Sequence, residues 1–184
     1  MRDNQRSRVY AAERQAFGYE WDSKPDFKTM DEVQAFIDHV SARVLFKKKY
    51  PLYETVQVVL RPGKRARRAY ATSEEVNGVT VHSITLPRVY RRKWVILHEM
   101  AHILNNLHTP DPKAPHGWQF CLIYLDLVTR GMGSPSKKAL KQAFKANNVY
   151  TWEKKRSAHT EEHRKMLSDR MKRINAERNA QRNS

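Results

Sequence analysis

The chain has a single cysteine, Cys121, no long apolar run, and far fewer acidic than basic residues. Each shortage excludes something. One thiol cannot form an internal disulfide, so stability does not depend on an oxidising compartment. No stretch approaches the length a bilayer-spanning helix needs, which leaves no membrane partner to expect. The opening "MRDNQRSRVYAAERQAF" is charged throughout and lacks the apolar h-region of a secretory signal, so cytoplasmic residence is the expectation. Asp and Glu number 19 against 35 Lys and Arg, a formal charge of +16. That balance suits polyanionic partners such as nucleic acid and says nothing about fold; the competing reading is a solvated surface with spare lysines. What is present is enough apolar material, 40% of 184 residues, to bury the core of one domain with an extension.

Periodicity divides the chain. Residues 5 to 20 read as an amphipathic helix with Val9, Ala12 and Ala16 on one stripe and Tyr10 and Phe17 beside it. Phe17, Tyr19 and Trp21 are expected to dock on the core. "TMDE" is a capping box, Thr29 with Glu32, and starts a helix whose buried face is Val33, Phe36, Ile37, Val40 and Val44. From Thr55 the period changes to that of strands. "TVQVVL", a "RPGK" turn, the returning "RRAYAT", and "EEVNGVTVHSITLP" with Asn77 and Gly78 at a second turn predict a three-stranded antiparallel sheet. Pro87 ends the last strand. Helices follow at 91 to 106, 115 to 131 and 136 to 147, the last two parted by Gly131, Gly133 and Pro135. The fold class is therefore α+β, with a domain at 1–150 and a basic helical tail at 151–184. From residue 153 on there are ten Lys and Arg against five acids, with only Leu167, Met171 and Ile174 in a narrow apolar stripe. A solvated helix and a nucleic-acid-binding arm both fit that composition.

The chemistry lies in "WVILHEMAHIL", residues 94 to 104. Residues four apart share a helix face, so His98 and His102 can present imidazole nitrogens to one ion. Glu99 follows His98 directly, which puts a carboxylate beside the ion, where it can take a proton from water. The competing reading is a buried histidine pair satisfied by core hydrogen bonds. Catalytic zinc normally takes three protein ligands and keeps one position open. Two candidates for the third exist. His108 completes "HEMAHILNNLH", the metzincin spacing with Asn105 in place of glycine. His116 opens "HGWQF" at the start of the next helix, where it can point at the same ion.

HExxH followed by a loop and HGxxF resembles the SprT-like zinc metallopeptidases, and a strand ending "ITLP" before the motif helix looks like that family's arrangement. "RDNQRSRVYAAE", "VILHEMAH" and "HGWQFCLIYLDLVTRGMG" are similar, more closely, to a family of small metallohydrolases of actinobacteria and their phages. The resemblance covers roughly residues 2 to 150 and not the tail. It implies a zincin-like fold, Zn2+ held by His98, His102 and His116, and Glu99 as the general base. The function expected is that of a zinc-dependent metallohydrolase, a peptidase acting on a protein or peptide substrate.

Other residues near the motif have plainer readings. "VHSITL" is placed to pair with an extended peptide as the sheet edge nearest the metal, or is simply the last strand. His82 within it reads as an exposed polar position. Trp118 and Tyr124 read as core packing, and Cys121 as a small buried apolar residue. The alternative function is a nucleic-acid-binding protein with a structural or inactive zinc site, or a protease acting on DNA-bound proteins. Its support is Arg61, Lys64, Arg65, Arg67 and Arg68 around the first turn, the segment "RVYRRKW", and the tail.

Overall fold

The computed structural model describes residues 3, 5–19, 24–55, 57–63, 66–109, 114–152 and 161–182. Trp21, Lys64, Arg65, Lys154, Lys155 and Arg156 lie outside them. The chain divides after Trp152 into two units. The first runs α1 (Arg6–Phe17), α2 (Met30–Ser41), α3 (Val44–Lys49), β1 (Gln57–Arg61), β2 (Tyr70–Val76), β3 (Val79–Thr85), α4 (Lys93–His108) and α5 (Trp118–Ala146), and the second is α6 (Glu161–Arg182). Short 3-10 turns occupy Pro51–Thr55 and Arg88–Tyr90.

α2 begins where its capping box predicts. The Glu32 amide donates to Thr29 Oγ1 at 3.1 Å while the Glu32 carboxylate accepts from the Thr29 amide at 3.2 Å. Val33, Ile37 and Val40 are buried, but Val44 is 79% exposed, because the helix stops at Ser41. The Ser41 hydroxyl donates to the carbonyls of Ile37 and Asp38, competing with the backbone ladder at that end.

The sheet is mixed rather than antiparallel, with order β1-β3-β2. β1 runs parallel to β3, and β2 pairs antiparallel with β3 through the Asn77-Gly78 turn. The chain does turn at Gly63, but not into a hairpin. Gly63 has φ +57, and a Cβ there would lie 2.8 Å from the Pro87 nitrogen. The chain thus leaves β1 hard against the residue after β3, while the Leu86 amide donates to the Arg61 carbonyl and extends the β1–β3 ladder. The place beside β1 is taken by β3, so β2 is carried past it to the far side. β3 is consequently the central strand, not an edge. His82, Ser83, Ile84, Thr85 and Leu86 are all buried, the continuous burial of a strand covered on both faces rather than an alternation.

α4 is buried at every position from Trp94 to Ala101, as expected of a helix apolar all round. α5 packs on both α4 and α1 and breaks at Gly133 (φ 83, ψ 173), which leaves Pro135 in the first turn of the following segment. Among the described residues no helix is long and apolar enough to cross a membrane.

Candidate metal centre

His98 and His102 sit one turn apart on α4, and His116 lies in the turn that starts α5. Their rings converge: His98 Nε2 is 3.1 Å from His102 Nε2 and 3.3 Å from His116 Nε2. His98 and His116 are each 3% exposed and His102 is half-buried. The outer nitrogens explain the orientation. His98 Nδ1 lies 2.5 Å from Glu13 Oε1, and His116 Nδ1 lies 2.6 Å from Asp3 Oδ2. An ionised carboxylate only accepts, so both Nδ1 atoms carry the proton and both Nε2 atoms turn lone pairs inward. The lone pairs of His98 and His116 brought together at 3.3 Å cannot satisfy one another, whereas a shared cation satisfies both. Among the described residues this triad is the group of His, Cys, Asp or Glu side chains close enough to hold a metal ion.

Aromatic rings fix the imidazoles. Phe120 of α5 packs against His98, His102 and His116 with centroids 5.0, 4.5 and 5.0 Å away. Tyr10 of α1 stacks on His98 at 5.5 Å and meets His116 edge-on at 5.4 Å. Tyr124 is fully buried beneath them, its hydroxyl donating to the Trp94 carbonyl at 3.3 Å.

The electrostatics favour ligation at His102 and His116 and oppose it at His98. Burial, helped by the charges of His98, His116 and Arg6, pushes His102 down to about 2, so its ring is neutral at any ordinary pH. His116 is also lowered, by burial and then His98, against the opposing pull of Asp3. At His98 burial works downward too, but the Glu13 carboxylate outweighs it and the net direction is up. Glu99 is 6% exposed and raised to about 6, chiefly by burial, with the His98 charge acting the other way and the Glu13 charge adding to the rise. The Ala71 amide of β2 donates to its carboxylate.

His108 lies outside the cluster. α4 continues unbroken through Asn105, so His108, six residues past His102, is turned about 240° around the helix axis from it. Its ring meets Tyr50 at 5.5 Å instead. The metzincin spacing works only if the helix ends at the glycine position, and buried Asn105 stays helical. His82 is buried rather than exposed, with Nδ1 2.7 Å from Ser73 Oγ, and also lies outside the cluster. Cys121 is fully buried, and burial followed by the charges of Glu13 and Asp3 pushes its thiol up, which suppresses the reactive thiolate.

Four residues of the N-terminal segment were not read as part of the site: Asp3, Arg6, Tyr10 and Glu13. Glu13 carried a usable signal, because it falls on the Val9, Ala12, Ala16 stripe where a charge has no solvent; it is 1% exposed. Asp3 carried none, since nothing local relates it to His116, 113 positions away.

A cleft of about 460 Å³ opens over the triad, lined by Arg6, Tyr10, Glu99, His102 and His116 and walled by Tyr70 to Ser73 of β2. The strand edge that faces the site is therefore β2, not the "VHSITL" strand. Comparison with family models, with curated proteins and with solved structures finds no match for the chain.

Proposed function

We propose that this chain is a zinc-dependent metallohydrolase of zincin-like arrangement, most simply a peptidase, with His98, His102 and His116 as ligands and Glu99 as general base. The observation that carries the reading is the inward convergence of the three Nε2 atoms, two of them backed by the carboxylates of Glu13 and Asp3. Tetrahedral zinc with Zn–N of about 2.0–2.1 Å needs ligand nitrogens about 3.3 Å apart; the His98–His102 and His98–His116 separations of 3.1 and 3.3 Å match this, and all three ligand atoms lie within 4.8 Å of one another. Zinc held there supplies a Lewis acid that polarises a carbonyl and brings the pKa of water toward neutrality. Glu99, buried beside the triad with its pKa raised to about 6, is matched to the task of taking a proton from the attacking water and passing it to the leaving amine. Asp3 and Glu13 hold the ligands' tautomers. An amide substrate, rather than another hydrolysable bond, is supported by the β2 edge, whose outward backbone groups beside Glu99 can pair with an extended peptide. The test is a peptide cleavage screen with the purified protein: cleavage that a strong chelator abolishes and added Zn2+ restores supports the reading, and cleavage indifferent to chelation contradicts it.

A nucleic-acid partner is a separate proposal, supported by the exposed Lys165, Arg170, Lys172, Arg173 and Arg178 of α6. The first-turn and "RVYRRKW" residues support it less. Arg91 donates to the Lys28 carbonyl at 2.6 Å, Arg92 is buried, and Arg68 faces the cleft. Affinity for single-stranded DNA should fall steeply with salt and drop further on deletion of residues 153–184, while zinc content is unchanged. Absence of binding at low salt removes the proposal.

A further inference from the structure

We propose that the cleft beside the histidine triad binds a carboxylate of its substrate, and that Arg6 and Arg68 are the residues that bind it. The inference rests on the peptidase reading for the kind of molecule that brings the carboxylate.

The argument starts from which charges in the cleft are already engaged. Asp3 and Glu13 are turned to the histidine Nδ1 atoms, and Glu99 accepts from the Ala71 amide while facing the triad. The cleft's acids thus point at the metal centre or the backbone. Arg6, from the first turn of α1, and Arg68, from the segment leading into β2, line the same cleft from two different elements, and both are exposed. No ion pair among the described residues uses either. Arg6 is held in place all the same. Its guanidinium lies 5.7 Å from the centre of the Tyr10 ring, and that ring stacks on His98. One arginine is therefore fixed a single aromatic ring away from a metal ligand, on the lining of the cleft. The guanidinium fork matches a carboxylate in a bidentate way that an ammonium does not. A peptide offers that group either as its C-terminus or as an Asp or Glu side chain, and both would be drawn to the same pair.

The distinguishing experiment measures binding apart from turnover. The full-length Glu99→Gln protein is titrated with four fluorescent hexapeptides of one sequence, carrying Glu or Gln at a central position and a free or amidated C-terminus. At least one carboxylate form is expected to bind about tenfold or more tightly than the fully amidated Gln peptide. Whether the gain follows the terminus or the side chain tells which source the cleft uses. Adding Arg6→Gln or Arg68→Gln should remove most of that gain and leave the neutral peptide's affinity unchanged, and Arg6→Lys should restore only part of it. The proposal is overturned by equal affinity for all four peptides, by binding of none, by a preference that survives the double Arg6→Gln, Arg68→Gln change, or by a single-stranded oligonucleotide that binds the cleft more tightly with the same arginine dependence. The two readings fail separately. Wild-type cleavage of neutral and acidic peptides at equal rates would overturn the carboxylate subsite alone, whereas arginine-dependent binding without any cleavage would overturn the peptidase reading alone.

Discussion

Replacing Glu99 by glutamine is expected to leave one zinc per chain in place and to slow hydrolysis by about 10²- to 10⁴-fold, the usual worth of a positioned general base. The substitution keeps the shape of a side chain that is 6% exposed and keeps an oxygen to accept from the Ala71 amide, so the fold and the triad have no reason to move. What is lost is the ability to hold a proton. The same group sets the acid limb of the pH profile. Its folded-state pKa is raised to about 6, chiefly by burial, so the carboxylate needed as base is present above that value and disappears as pH falls through it. A cation in the triad would pull this value down, which places the wild-type limb at or below about pH 6. Steady-state rates for both proteins, measured from pH 4.5 to 8 with metal content recorded at each point, check this. A Glu99→Gln rate equal to wild type would remove Glu99 from the role of base.

Glu13→Ala should weaken zinc binding by about 10- to 100-fold, the ordinary cost of losing a carboxylate behind a histidine ligand. The effect has two sources. Without the carboxylate, the His98 ring is no longer fixed with Nε2 toward the other two rings, and its Nδ1–H is left buried with no acceptor, a penalty of about 1–3 kcal/mol. Glu13→Gln keeps an accepting oxygen but not the charge and should fall between the two. Competition against a chromogenic zinc chelator reads affinity, and thermal melting of the metal-free proteins reads the stability cost on its own. Unchanged zinc affinity in Glu13→Ala would mean that Glu13 serves packing only.

The motif helix was legible because its signal is local. Two histidines at helical spacing inside a continuous apolar run can only be a buried helix face, and α4 is buried on all sides. Which histidine joins the pair was left open by spacing alone and is separated by helix geometry: His108 stays on α4 and rotates away, while His116 returns on a different element. Strand order was not legible. Alternation and turn residues predict strands, but whether "RPGK" closes a hairpin or carries the chain past a neighbour depends on what occupies the adjacent place, and β3, later in sequence, occupies it. The same error put the edge on the wrong strand. The carboxylates behind the histidines were hidden for a related reason. Glu13 meets His98 across 85 positions and Asp3 meets His116 across 113, pairings that no periodicity records.

The central claim, that His98, His102 and His116 hold one zinc ion, is tested most directly by metal analysis of the purified wild-type, His116→Ala and His108→Ala proteins beside one another. The account predicts one zinc per chain in the wild type, the same in His108→Ala, and little or none in His116→Ala. Retention of zinc by His116→Ala with loss from His108→Ala, or a wild-type protein that takes up no zinc at all, would contradict it.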